Sequence, residues 1–345
     1  MRRGVTSVFS DDIAIDLGTV NTLVHVAGTG VVIDEPSMVA VRNSNGVREV
    51  LAVGQVAKQM IGRAPEPIET IRPLRDGVIA DFVATEEMLR QFIKRTKTML
   101  GFRRPRILIC VPAGATPVER RVVYETALSA GARRVLLVAE PVAAAIGAGL
   151  PVDEPAGSMV VDIGGGTTDI AVLSHGCVVQ ARSLRCAGNA MDEAIIRYVR
   201  RRHDLRIGET NAERIKIEAG TASQLLNGRT AEIHIRGRDL RQGKPKSIVL
   251  APYDIAEALE DPLDELAEFV RRALEDLHLE ISTDVCVRGI RLTGGGARLD
   301  KLDRELERRI GVKFLVPDEP MRCVINGSAA IFDQLGERGQ LLLEP

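Results

Sequence analysis

Ile13-Ala-Ile-Asp16-Leu-Gly18-Thr19-Val-Asn21-Thr22-Leu-Val24 and Val160-Val-Asp162-Ile-Gly164-Gly-Gly166-Thr167-Thr-Asp169-Ile-Ala-Val172 spell one pattern twice. In each copy a β-branched run carries an aspartate to the end of a strand. A glycine turn with a hydroxyl residue follows, and apolar residues then resume as the returning strand of a hairpin. The aspartates stand 146 positions apart (162 − 16), far enough for each hairpin to belong to its own domain. Two such turns facing one another would grip a polyphosphate from both sides. Backbone N–H groups reach the oxygens where no side chain intervenes, and Asp16 and Asp162 supply negative charge for a hydrated magnesium ion. The pattern implies a nucleotide clamp between two duplicated halves.

A chain of 345 residues holds two domains, each with room for a smaller appendage. Apolar residues make up 45% of it, ample for real cores. With 46 basic and 47 acidic side chains the net charge is −1, so no global field favours nucleic acid. Cys110, Cys177, Cys186, Cys286 and Cys323 form neither a CxxC nor a metal-ligand spacing. Three of them sit in or beside apolar runs as small core residues, the usage of a reducing, cytosolic protein. No apolar run approaches the roughly 20 residues of a membrane span. Arg2 and Arg3 precede no signal-type apolar segment.

Outward from the first hairpin, Gly30-Val-Val-Ile33 and Ser37-Met-Val-Ala-Val41 read as strands separated by Asp34-Glu-Pro36, and Asn43-Ser-Asn-Gly46 as a hairpin turn. Residues 85–100 have helical spacing. Residues 106–111 read as a buried strand between prolines. Thr116-Pro-Val-Glu119 is a capping box whose helix stops at Gly131. Val135-Leu-Leu-Val138 leads into Glu140-Pro141 and an alanine-rich helix. The second half repeats this grammar. Met191, Ile195 and Val199 share a helical face, and Thr210-Asn-Ala-Glu213 reads as a second capping box. Residues 223–248 suggest a small exposed subdomain. Leu263, Leu266, Val270, Leu274 and Leu277 form an amphipathic stripe. Ile290-Arg-Leu-Thr293 runs into Gly294-Gly295-Gly296, and Asp300 opens a further helix. Strands alternating with helices, twice over, give an α/β protein of two similar halves.

Several residues carry two readings. Gly294 to Ala297 would let a purine or ribose approach the backbone, or is a plain strand-to-helix turn. Glu140 is either a first-turn carboxylate favoured by the helix dipole or a cleft carboxylate that positions the attacking water, and spacing alone favours the former. Thr167 either bonds the same water or caps its turn. Glu213 and Lys216, one helical turn apart, have the spacing of a solvated surface pair. Met99-Leu100-Gly-Phe102 is an apolar tip ringed by Lys94, Arg95, Lys97, Arg103, Arg104 and Arg106. It either meets an anionic bilayer or packs beneath a helix end. Residues 1–9 are too short and weakly apolar for an anchoring helix. Arg197, Arg200, Arg201, Arg202 and His203 read as a solvated helix end.

The order of phosphate hairpin, Glu-Pro helix, second phosphate hairpin and glycine-rich loop resembles the actin, sugar-kinase and Hsp70 ATPase superfamily. Within it, residues 12–24 (DIAIDLGTVNTLV), 35–41, 53–65, 71–82 (IRPLRDGVIADF), 111–121, 159–174 (MVVDIGGGTTDIAVLS), 191–202, 207–218 and 292–299 identify the chain as a member of the MreB family of bacterial actins. The resemblance implies an actin-like, ribonuclease H-like duplicated fold around a central cleft holding ATP or ADP with magnesium. It implies four subdomains: 1–32 with 75–145, 33–74, 146–187 with 250–345, and 188–249. It also implies a slow ATPase coupled to polymerisation. By position, Asp16 and Asp162 are the magnesium-side carboxylates. Gly18, Thr19, Val20 and Asn21 form one phosphate loop, and Gly164, Gly165, Gly166 and Thr167 the other. Glu140 and Thr167 orient the water, Glu213 and Lys216 contact the nucleoside, and Gly294, Gly295, Gly296 and Ala297 form the adenosine loop. Family members form antiparallel double filaments on the cytoplasmic face of the inner membrane, where they guide cell-wall synthesis with membrane proteins of the elongation machinery. Met99, Leu100 and Phe102 fall on their membrane-insertion loop. Asp169 departs from the glutamate of many members, and the N-terminus is more basic than an anchoring helix. A small-molecule kinase of the same fold would need an acceptor pocket, for which no inserted segment appears. A chaperone ATPase would need a substrate-binding domain after the ATPase part.

Overall fold

The computed structural model describes residues 12–44, 47–100, 104–223 and 232–345. β1 (Asp12–Leu17) and β2 (Asn21–Val26) form the first hairpin, with β3 (Gly30–Pro36) along its outer side. The strand continues through Asp34–Pro36, where the sequence suggested a break. β3 is an edge strand, so the N–H missing from Pro36 costs no ladder bond. β4 (Val39–Ser44), β5 (Val47–Val53) and β6 (Ile68–Ile71) make a small sheet with α1 (Gln55–Gln59). Ser44 faces Val47 across the expected turn, whose residues 45–46 lie outside the described ones.

A two-stranded ribbon, β7 (Leu74–Arg75) and β8 (Val78–Ile79), precedes α2 (Phe82–Leu100). This helix starts three residues before Thr85 because Asp81 Oδ1 accepts the Ala84 N–H at 3.0 Å and caps it. β9 (Arg106–Val111), α3 (Pro117–Ser129), β10 (Arg134–Ala139) and α4 (Glu140–Gly147) complete the first half. The Thr116–Glu119 capping box forms as read, with both reciprocal bonds.

In the second half β11 (Ser158–Ile163), β12 (Thr168–Ser174) and β13 (Cys177–Leu184) repeat the hairpin and its outer strand. α5 (Gly188–His203), β14 (Leu205–Arg206), α6 (Glu209–Ala219), β15 (Ile233–Asp239) and β16 (Pro245–Leu250) build the second small lobe. α7 (Pro252–Ala258), α8 (Glu260–Glu275), α9 (Leu279–Arg288), β17 (Ile290–Thr293), α10 (Leu302–Ile310) and β18 (Phe314–Leu315) follow. The large sheets run β3-β2-β1-β9-β10 and β13-β12-β11-β17-β18, each with the first strand of its hairpin parallel to the next strand inward. The duplication seen in the sequence is therefore a duplication of topology.

Three readings change. No capping box forms at Thr210: α6 starts at Glu209 behind the extended Gly208, so Thr210 already lies in the first turn and Glu213 turns elsewhere. The helix expected from Asp300 starts at Leu302, after Lys301 in a left-handed conformation. α11 (Cys323–Asp333) and α12 (Leu335–Arg338) lead to β19 (Leu342–Leu343), which pairs with β10. The last strand thus joins the first large sheet, although the sequence division assigned 250–345 wholly to the second half.

Each half has its own core, and a third cluster lies between them around α4 and α11. Cys110, Cys186 and Cys323 are buried and Cys177 and Cys286 exposed. α4 and α11 meet backbone to backbone: a Cβ on Gly147 would lie 1.8 Å from the Cys323 carbonyl oxygen, and one on Gly327 1.8 Å from that of Ala143. Only glycine permits this approach. No helix among the described residues is long and apolar enough to cross a membrane.

Candidate nucleotide site

The two hairpin turns come together at the floor of a cleft. In the first, Ser37 Oγ donates to the Gly18 carbonyl at 2.6 Å and lies 2.8 Å from Thr22 Oγ1, while Thr19 Oγ1 accepts the Gly77 N–H at 2.9 Å. In the second, the Gly164 N–H closes on the Thr167 carbonyl at 2.9 Å. The carbonyls of Gly164 and Gly165 accept the Gly188 and Asn189 N–H groups at 3.2 and 2.8 Å, so this loop caps α5 in place of a side chain. A Cβ on Gly165 would stand 2.1 Å from Val20 Cγ2. The turns touch, and glycine is what lets them.

Behind the turns Asp16, Asp162, Glu140 and Asp169 converge, all largely buried. Burial lifts Asp16 to about 7, helped by the charges of Asp162 and Asp34. Burial also lifts Asp162 to about 7, against a hydrogen bond from Thr293 Oγ1 at 2.7 Å. Glu140 is pushed well above the usual carboxylate range by burial and then by Asp169, Asp16 and Asp162. Asp169 is raised by burial, opposed by the Ala113 N–H that its Oδ1 accepts at 2.8 Å. The Thr167 and Ser183 hydroxyls also oppose the rise, while the buried Oδ2 of Asp169 meets no hydrogen-bond geometry with the described residues. Among the described residues no arginine or lysine pairs with any of the four.

Such a cluster fits a divalent cation, and no three acidic or imidazole groups of the described residues stand close enough to ligate one directly. The carboxylates suit magnesium, which keeps its waters and takes phosphate oxygens beside one or two carboxylates.

The turns open into a cavity of about 430 Å³, lined by both phosphate loops, the four residues Asp16, Asp162, Glu140 and Thr167, and Gly294–Gly296 at the far end. Asn21 lines it as well, whereas Ala297 is buried behind its loop. Gly294 has φ +81°, and a Cβ there would meet the Ile163 carbonyl oxygen at 2.3 Å.

Glu213 and Lys216 also line the cavity but do not form the surface pair that their spacing suggested. Lys216 Nζ lies 2.9 Å from Asp192 Oδ1 and donates to the Gly188 carbonyl at 2.7 Å, bracing the second phosphate loop from below. Glu213 faces Lys58 at 3.4 Å. The sequence reading missed Arg72, Asn189, Asp192, Ile217, Arg298 and Met321, all on the cavity wall. Ile217 stands on that wall as an apolar residue that is 73% exposed. Met99 and Leu100 end α2, but their side chains, like residues 101–103 and 1–9, lie outside the described residues.

The model of the MreB/Mbl protein family matches residues 10–339. The cell shape-determining protein MreB of Escherichia coli strain K12 is 49% identical over 342 residues, 98% of each chain. The cell shape-determining protein Mbl of Bacillus subtilis strain 168 is 45% identical over 328 residues, covering 95% of this chain and 97% of that one. Among solved structures, Spiroplasma citri MreB5 bound to ADP superposes with a TM-score of 0.89 at 32% identity, covering 95% of this chain and 98% of that one. The same protein bound to AMPPNP matches equally. A MamK double helical filament matches with a TM-score of 0.79 at 21% identity over 93% of this chain and 99% of that one, a likeness of fold.

Proposed function

The chain belongs to the MreB/Mbl family of actin-like proteins, and from that premise we propose that it is a cytoskeletal ATPase that polymerises at the cytoplasmic face of the inner membrane. There it would form antiparallel double filaments that maintain rod shape by guiding cell-wall synthesis, together with membrane proteins of the elongation machinery. The observation that carries the reading is the meeting of two glycine turns over three sheltered carboxylates that line one cavity, Asp16, Asp162 and Glu140, none of them paired with an arginine or lysine among the described residues. Structures of a relative with ADP and with AMPPNP support a nucleotide as the occupant.

In this reading Gly18–Asn21 and Gly164–Thr167 hold the phosphates through backbone N–H groups. Gly294–Gly296, Glu213 and Lys216 flank the nucleoside. Asp16 and Asp162 would hold magnesium through its waters, and the ion would supply positive charge against that building on the phosphates. Glu140 and Thr167 orient the attacking water, and Glu140, raised by burial, is a stronger base than a solvated carboxylate once it is ionised. The four-subdomain division given by the resemblance is part of the proposal.

Pelleting with ATP and magnesium, read together with phosphate release, tests the core of this function. Assembly with slow hydrolysis is expected. Protein soluble at every concentration that passes phosphate to a sugar overturns it. For the membrane, replacing Leu100 and Phe102 by serine is expected to abolish co-sedimentation of filaments with anionic liposomes while assembly persists. Each large side chain buried is worth roughly 1.5–3 kcal/mol, and a filament multiplies that by repetition. Removal of residues 1–9 should matter less. The reverse pattern would move the anchor to the N-terminus.

A further inference from the structure

Two contacts bridge the cavity mouth, and neither involves a phosphate-loop side chain. Lys58, on α1 in the small lobe of the first half, has its Nζ 3.4 Å from Glu213 Oε2 on α6 in the opposite lobe. Arg72, just past β6, donates from Nη1 to Asn189 Oδ1 on α5 at 3.4 Å, and its Nη2 lies 3.9 Å from Glu209 Oε2. The side chains of Lys58, Arg72 and Glu213 are 32%, 31% and 21% exposed. Lys58 and Glu213 are thus a partly sheltered pair, whereas Glu209, 76% exposed, leaves the Arg72 ion pair open to solvent, and each bridge joins residues more than a hundred positions apart. Each far partner is also one step from the cavity. Glu213 lines its wall. Asn189 donates its N–H to the Gly165 carbonyl of the second phosphate loop at 2.8 Å.

We propose that Lys58 and Arg72 form a two-point latch across the cleft that sets how long a nucleotide stays bound, with Arg72 acting on the second phosphate loop through Asn189. The proposal rests on the cavity being a nucleotide site. Both residues are positioning residues. The bridging distances are long for ion pairs, which suits contacts that must break and re-form at each exchange. The two points differ in what they touch. Any turn of the Gly165 carbonyl moves Asn189 and through it Arg72, whose charge also faces Asp192. Among the described residues Lys58 has no such link to the loop, and it does not line the cavity. Release and chemistry are therefore separable by residue.

The test uses the full-length chain and the fluorescent nucleotides mant-ADP and mant-ATP, with stopped-flow chase by unlabelled nucleotide and single-turnover phosphate release. Lys58→Ala is expected to speed mant-ADP release about two- to five-fold, the scale of one partly sheltered pair, with the single-turnover rate unchanged. Lys58→Arg should restore most of the dwell time. Arg72→Ala should speed release by a similar factor and also slow phosphate release. In the double variant the two factors on release should multiply, because the bridges share no partner. Unaltered release in the double variant overturns the latch while leaving the nucleotide reading standing. Failure of the unmodified chain to bind mant-ADP overturns the nucleotide reading itself. Faster release that only tracks a fall in nucleotide-free melting temperature, and that Lys58→Arg does not reverse, reduces the bridges to structural contacts and overturns the latch as well.

Discussion

In the first hairpin Asp16 lies opposite Leu23, and in the second Asp162 lies opposite Asp169. The first turn is pinned by hydroxyls of its own half, Ser37 on Gly18 and Thr19 on Gly77. Among the described residues the second has no comparable hydroxyl on the carbonyls of Gly164 and Gly165. Those carbonyls are spent on the N-terminus of α5, and Asp169 reaches over to the Ala113 N–H of the other half. One copy is thus anchored within its lobe, while the other is tied to a helix of the small lobe and across the cleft. A second carboxylate beside Asp162 adds repulsion that only a cation or a proton relieves. The duplication supplies a clamp, and the differences between the copies make one side of it responsive.

The largest effects should come from removing the carboxylates that both copies aim at the cleft. Asp16→Ala and Asp162→Ala should lose the magnesium–nucleotide complex itself. Glu140→Ala should keep nucleotide affinity and assembly while hydrolysis falls about 10²–10⁴-fold, the cost of one positioned base. Phosphate release measured beside nucleotide affinity separates the two classes. Unchanged hydrolysis in Glu140→Ala would return this residue to a helix-capping role.

A middle-sized effect concerns pH. Asp16 and Asp162 are held at about 7 in the fold, against a usual 3.8. A raised carboxylate contributes stability that is fully present below its unfolded value and lost as pH rises through the folded one. The nucleotide-free chain should therefore lose stability between about pH 4 and 7 through these groups. Magnesium–ADP should stabilise it more strongly at pH 8 than at pH 5. Asp162→Asn should flatten the decline and make the nucleotide-free protein more stable at pH 8 by roughly 1–3 kcal/mol. Thermal melts at the two pH values check this. An Asp162→Asn chain with the same decline as the parent would place its origin outside the cleft.

The hairpins were legible because a strand, an aspartate and a glycine turn are local in sequence, and their repetition raised each weak motif above chance. The likeness of the two halves was legible for the same reason, since each writes its elements in the same succession. What stayed hidden was set by contacts between distant residues. Thr210 and Glu213 have the spacing of a capping box, but Gly208 had already ended the preceding segment and Glu213 is drawn to Lys58. Leu342 and Leu343 return to the first sheet because β10 has an open edge there, which no local pattern encodes. Arg72, Asn189 and Met321 reach the cavity from three distant parts of the chain, and no local spacing marks them as site residues. Glu140 shows the limit most plainly. Its spacing fits a helix cap, the resemblance gives it the second role, and the structure puts it on the cavity wall near Asp16 and Asp162.

The smallest expected effect falls on the anchor of the first turn. Ser37→Ala removes the hydroxyl that donates to Gly18 and leaves Thr22 without its neighbour. Ser37 is fully buried, so water cannot replace the lost bond. A neutral hydrogen bond of this kind contributes about 0.5–1.5 kcal/mol, and part of that appears as a looser phosphate loop. Nucleotide affinity should drop by roughly two- to ten-fold, with the single-turnover rate at saturating nucleotide unchanged, because the residues proposed to orient the attacking water belong to the second loop and to α4. The measurement is a pair of titrations and one single-turnover trace. If the chemical step in Ser37→Ala slowed as much as in Glu140→Ala, the first turn would be part of the reacting geometry, and the division between a fixed copy and a responsive copy would fail.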